Sequence, residues 1–187
     1  MTAAAMTKRI AEASPRFKAR MAGLLYFFSL LTAGLTETFV RGRLNYAGGY
    51  IAIAGMVAVT LIFYDIFKPV NRGLSLLAVF FAFVGLTFEA VRLQPQGLNI
   101  ALVFHGCYCI LIGYLIFRST FLPRILGLLM AFAGLAWLTY LSNPLVNHLS
   151  PCNLASGLLG DVSVFLWLLV MGVNVQRWKE QASAAGE

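Results

Sequence analysis

The sequence predicts an all-α fold: a polytopic transmembrane bundle of six helices with both termini on the cytoplasmic side. Three observations carry this. Of the 187 residues, 60% are hydrophobic and 11% are charged, whereas an ordinary soluble domain has about 25% charged residues. A soluble core of this size cannot hide that much apolar surface, so lipid is the solvent for most of the chain. The apolar residues fall into six continuous runs, each about long enough to cross a bilayer as a helix. The runs lack the dyad alternation of barrel strands, and at that length only a helix satisfies its own backbone in lipid. The third observation is the placement of the basic residues, taken up after the elements.

The first run spans about Met21 to Val40 and follows Lys8, Arg9, Arg16, Lys18 and Arg20. A basic start before an apolar run resembles a signal peptide. This run is too long for one, ends in Glu37 and Arg41, and lacks a small-residue cleavage site, so it is expected to be retained. The second run covers about Ala47 to Phe67, with Asp65 and Lys68 at its exit and Pro69 closing it. The third, about Leu74 to Leu93, carries Glu89 and Arg92. Gln94-Pro95-Gln96-Gly97 breaks the chain before the fourth, about Leu98 to Phe117, which holds His105, Cys107, Tyr108 and Cys109. A short turn between Arg118 and Arg124 follows. Pro123 is placed in the first turn of the fifth run, which ends near Leu141. Asn143 to Gly157 reads as the longest polar loop, and the sixth run as about Leu158 to Val175. The hydropathy predicts one domain: a cytoplasmic segment over 1–18, a six-helix domain over 19–178 and a cytoplasmic tail over 179–187.

Six spans put both ends on one side. With the N-terminus inside, the inner segments hold 11 of the 14 Lys and Arg residues, and the outer segments hold Arg41, Arg43 and Arg92. The positive-inside rule selects this orientation. The net charge of +7 falls wholly on the inner side, so it reports topology and gives no support to nucleic acid as a partner. Membrane lipid is the expected partner; the oligomeric state is left open.

Three cysteines are too few for a disulfide framework. Cys107 and Cys109 point to different sides of a helix, and they read as small apolar fillers. With two histidines, one of them in a loop, neither a metal site nor a cofactor is expected. Small residues recur at packing intervals, Ala52, Gly55 and Ala58 in the second run and Gly127, Ala131 and Gly134 in the fifth. They predict close helix contacts within the bundle.

Three blocks resemble a bacterial integral-membrane family, the domain of unknown function 4386. They are Lys68 to Ala78 (KPVNRGLSLLA), Gly113 to Gly127 (GYLIFRSTFLPRILG) and Leu166 to Val175 (LWLLVMGVNV). The resemblance extends over most of the chain from the first run onward and implies a polytopic protein of the bacterial inner membrane. It supplies no activity. A histidine is common in relatives where this chain has Tyr108; here the histidine is His105, three residues earlier. No catalytic residue is carried over.

Charges inside a membrane are costly and mark functional sites by default. Glu37, Glu89, His105 and Asp161 share a depth in the outer half on four different spans. They are expected to line one outward-facing polar cavity, with Tyr108 and Arg92 as further ligand-binding residues. Tyr50, Phe88, Phe104 and Trp137 are aromatic residues at the same level, and they suit an apolar floor beneath a polar rim. Such a pocket fits binding or transport of a small amphipathic or lipid-like ligand. Two other functions fit the same residues. One is a membrane-embedded enzyme using Glu37 or Glu89 with His105 for proton transfer; the other is an accessory subunit whose polar groups only set helix register. The local alternative for the acids is pairing along each helix, Glu37 with Arg41, Glu89 with Arg92 and Asp65 with Lys68, and a place for Asp161 near a helix N-terminus.

Overall fold

The computed structural model describes residues 14–40 and 42–186. Six helices among them are long and apolar enough to cross a membrane. They are α1 (Pro15–Phe39), α2 (Arg43–Phe67), α3 (Arg72–Val91), α4 (Ile100–Arg118), α5 (Arg124–Leu138, its span continuing through a 3-10 turn to Leu141) and α7 (Cys152–Val170). Two shorter helices, α6 (Asn143–Leu149) and α8 (Val175–Ala184), complete the described secondary structure together with single 3-10 turns at Pro95–Gly97 and Thr139–Leu141. The protein is a multi-pass membrane protein. Large apolar side chains such as Phe28, Leu61, Phe80, Leu128, Phe132 and Leu159 stand exposed on the long helices. Around a water-soluble protein such a belt would be an aggregation surface; here it is the face for acyl chains.

Local signals set the helix ends. Ser14 accepts a hydrogen bond from the backbone of Phe17, with Pro15 as first helical residue of α1. Asn71, Asn99 and Asn174 cap α3, α4 and α8 in the same way. Pro123 is the cap before α5, one position earlier than its expected place inside the first turn. The last span departs most from expectation. It begins at Cys152 and ends at Val170, and the predicted polar loop contains α6. Pro144 lies in the first turn of α6 and Pro151 caps α7. Both prolines open helices, where a missing N–H costs nothing.

Each long helix packs on its neighbours in sequence, and α7 closes back on α1. The result is a ring of six alternating helices. Its interior differs at the two ends. Towards the end holding the chain termini it is solid, with Phe63, Phe67, Ile112, Ile116, Leu122, Met130 and Leu168 in one buried cluster. Two polar groups of connections fasten that end. Asp65 pairs with Lys18 and, at 3.3 Å, with Lys68, as its spacing predicts. The indole of Trp178 on α8 donates to the carbonyl of Ile66 at 2.9 Å. Reporter fusions give the direct check on orientation. Fusions after Arg43 and Asn147 should read as outside and one after Arg118 as inside; any reversal contradicts the topology.

The small-residue faces lie inside the bundle. Gly113 and Gly127 meet across α4 and α5, Gly106 and Gly134 meet one level further from the termini, and Gly55 faces Ser29 of α1. At these contacts an added Cβ would fall within 3 Å of the neighbouring helix.

Candidate functional site

At the end of the ring away from the termini, the interior opens into a cavity of about 220 Å³. All six long helices contribute to its wall. Glu37 and Glu89 stand near its mouth, each two residues from the end of its helix. Between mouth and base the wall is apolar, with Ala33, Ala52, Ile53, Met56, Ala82 and Leu102. At the base lie Ser29, Thr60, His105, Tyr108, Trp137 and Asp161. Polar groups therefore stand at both ends of an apolar sleeve, which replaces the expected apolar floor. Tyr50, Phe88 and Phe104 are absent from the wall. Tyr50 is exposed with its hydroxyl towards the carbonyl of Ala90, and Phe88 stacks on Phe104 with ring centres 5.7 Å apart.

Asp161 organises the base. It is nine residues into α7, about 14 Å from the helix start and so close to the middle of a ~30 Å hydrocarbon layer. The expected place near a helix N-terminus does not hold, because α7 begins six residues earlier than predicted. The dipole of the first turn therefore cannot account for this acid. Side chains from three other helices do. The Tyr26 hydroxyl of α1 donates to Oδ1 at 2.8 Å, and the Trp137 indole N–H of α5 donates to Oδ2 at 3.1 Å. On α4, His105 Nε2 lies 3.4 Å from Oδ2 and the Cys109 thiol 3.7 Å from Oδ1. Asp161 is 1% exposed. A buried carboxyl group that meets donors at both oxygens avoids most of the desolvation cost of an isolated one. Tyr108, also 1% exposed, has a hydroxyl beside Thr60 that makes no hydrogen bond of normal geometry among the described residues.

The mouth is arranged differently from the i,i+3 pairing expected of Glu89 and Arg92. Arg92 ends α3 in a left-handed conformation (φ 53°), which turns its side chain across to the α1–α2 corner. There its guanidinium lies 3.9 Å from Glu37, donates to Asn45 Oδ1 and covers the Tyr46 ring at 4.1 Å. Asn45 in turn donates to the carbonyl of Thr36 at 2.8 Å, closing the end of α1. Among the described residues, no lysine or arginine nitrogen is within 4.0 Å of Glu89; the expected Glu37–Arg41 pair lies outside the described residues. Arg92 belongs to an adjoining groove with Phe88, Gln94 and Asn99, and not to the wall of the deeper cavity.

The structure thus brings Glu37, Glu89, His105, Tyr108 and Asp161 to one cavity and leaves Arg92 at its rim. It also corrects the expected proton-transfer pair. The carboxylate beside His105 is Asp161, and neither Glu37 nor Glu89 comes within 4.0 Å of that ring. Of the cluster, Tyr26 is missing from the sequence reading, and Cys109, read there as a small apolar filler, instead faces His105 and Asp161. A tyrosine within an apolar run gives no sign of its partner. Cys109 did carry a signal, since it is four residues after His105 and so on the same helical face.

Residues 89–172 match the model of a domain of unknown function (DUF4386). Over this region the chain is similar to the DUF4386 family. The match runs from the end of α3 to the end of α7 and takes in Glu89, His105, Tyr108, Cys109, Trp137 and Asp161. Glu37 and Tyr26, on α1, lie outside the DUF4386 region, as does the Lys68 to Ala78 block. An uncharacterised protein of the archaeon Archaeoglobus fulgidus is 25% identical over 136 residues, which cover 67% of this chain and 82% of that one. No solved structure matches the chain.

Proposed function

We propose that this protein resides in the inner membrane and binds a small amphipathic ligand. The ligand enters the cavity from the outer face, with its polar group at the base and its apolar part in the sleeve. One observation carries the reading: a cavity walled by all six long helices ends on a buried polar cluster and includes Tyr108, whose hydroxyl makes no hydrogen bond of normal geometry among the described residues. A buried hydroxyl left unpaired costs stability, and a ligand atom within reach would remove that cost. The volume of about 220 Å³ lies below the roughly 300–1,000 Å³ of drug-sized sites, which favours a short molecule or a lipid headgroup. Glu89 on the entry path, with no basic side chain within 4.0 Å among the described residues, and the carboxyl group of Asp161 at the base favour a cation over an anion. The solid packing on the terminal side supports binding at one face; passage through the bundle would require that half to open.

Trp137 in the wall supplies the assay. Hexylammonium should change its fluorescence saturably, with hexanol weaker and hexanoate weakest. Ala52→Phe and Ala82→Phe, which project rings into the sleeve, should abolish the response. Leu61→Phe, on the lipid face, should leave it unchanged. A response that survives both cavity variants, or one equal for hexanoate, contradicts the proposal.

A further inference from the structure

The geometry points to a site for one divalent d-block cation, of the Zn²⁺ type, formed by His105, Cys109 and Asp161 at the base of the cavity. The donor atoms of these three residues lie within 4.8 Å of one another. Cys109 Sγ is 3.4 Å from His105 Nε2, which is 3.4 Å from Asp161 Oδ2, and Sγ is 3.7 Å from Asp161 Oδ1. A tetrahedral zinc with ordinary bond lengths needs ligand separations of about 3.5 Å for S···N, about 3.3 Å for N···O and about 3.5 Å for S···O. The S···N and N···O contacts match two of those edges to within about 0.2 Å; the thiol faces the other carboxylate oxygen, and a turn of the carboxyl group that presents one oxygen to both neighbours closes the third. As a hydrogen bond the imidazole–carboxylate contact is long, since such pairs close to about 2.7–2.9 Å when charged.

Three further features fit an ion. The first is charge: a thiolate, a carboxylate and a neutral imidazole around M²⁺ sum to zero, the one total that a low-dielectric interior tolerates cheaply. On binding, the S–H proton leaves to solvent through the cavity as the S–M bond forms, and Asp161 releases any proton it holds. The second is support for the carboxylate. Tyr26 and Trp137 hold both oxygens of Asp161, as outer-shell partners do for metal ligands. The third is access: His105 and Asp161 both line the cavity, so a fourth position opens towards it. Three protein ligands with an open fourth position are the pattern of reactive zinc sites rather than closed structural ones. The nitrogen and sulfur donors exclude a calcium or magnesium site, which needs an oxygen cage.

The site does not depend on the amphipathic ligand proposed above, and the test uses the metal alone. Full-length protein is freed of metal with a chelator in detergent and titrated with Co²⁺. One equivalent should produce a thiolate-to-cobalt charge-transfer band and the intense visible bands of tetrahedral Co²⁺, both removed by Zn²⁺. Cys109→Ser should eliminate the charge-transfer band and weaken binding at least about 100-fold; His105→Gln and Asp161→Asn should weaken it comparably. Tyr26→Phe should keep the band and weaken binding about 10–100-fold, as loss of an outer-shell partner does. A Cys107→Ser/Cys152→Ser protein, with Cys109 as its sole thiol, must retain the full band, which guards against misfolding of the Cys109 variant. Absence of the band in the wild type, its loss in the double variant or its persistence in Cys109→Ser overturns the site. The Ala52→Phe result is independent of all three.

Discussion

Replacing Asp161 by leucine is expected to destabilise the bundle by about 1–3 kcal/mol, measured by denaturant titration in detergent with chelator present. Leucine fills a similar volume, so the loss comes from the polar partners. The Tyr26 hydroxyl and the Trp137 N–H both point at this carboxyl group, at 2.8 and 3.1 Å. Interhelical hydrogen bonds in membranes contribute about 0.6 kcal/mol on average and up to about 1.7, so two of them give the range stated. Tyr26→Phe removes one bond and should cost about half as much. Asp161→Asn should fall near Tyr26→Phe, because an amide keeps one acceptor oxygen and turns N–H groups towards the other donor. A change within about 0.5 kcal/mol for Asp161→Leu, the usual range of neutral surface changes, would mean that the cluster does not hold these four helices together.

A larger effect is expected where α4 and α5 touch. A Cβ on Gly113 would lie 2.7 Å from the backbone nitrogen of Ala131 and 2.7 Å from the carbonyl oxygen of Gly127. A Cβ on Gly127 would lie 2.6 Å from the carbonyl oxygen of Gly113. Backbone atoms cannot move aside as a side chain can, so the helices must separate. Gly113→Val and Gly127→Val should each cost about 3 kcal/mol or more, the upper end for overpacking, and yield little monodisperse protein on size exclusion. Gly34→Ala on α1 is the control, since nothing lies within 4 Å of its added Cβ. It should be neutral or stabilising by up to about 1 kcal/mol through helix propensity. Normal yield of both valine variants would contradict the packing of this seam.

The architecture was legible because lipid imposes a simple rule on sequence. Continuous apolar runs must be helices, and the runs around Ala47 to Phe67 and Leu98 to Phe117 match α2 and α4 to within a few residues. The segment from Asn143 to Gly157 was misread because its polar residues suggest a loop, while Pro144 and Pro151 in fact open helices. That error moved Asp161 towards a helix end and hid its partners. Shared depth was enough to bring Glu37, Glu89, His105, Tyr108 and Asp161 to one cavity. It could not reveal which group faces which. Arg92 crosses to Glu37 because its own backbone turns left-handed at the end of α3, and no helical spacing predicts that. Tyr26 meets Asp161 because α7 closes the ring on α1, a contact between the two ends of the transmembrane domain.

The account rests on a hollow half of the bundle that opens away from the termini. Cysteine accessibility along α2 measures this most directly. Single cysteines at Gly49, Ala52, Ile53 and Met56 line the cavity, whereas Ile51, Ala54 and Leu61 are exposed on the helix and absent from its wall. A membrane-impermeant thiol reagent added outside intact cells, read by mass spectrometry of the α2 peptide, should modify the first set in a helical pattern. It should spare the second set, together with cysteines at Phe63 and Phe67 in the solid half. Uniform protection of Ala52, Ile53 and Met56, or modification of the Phe63 and Phe67 positions, would contradict the cavity and its orientation together.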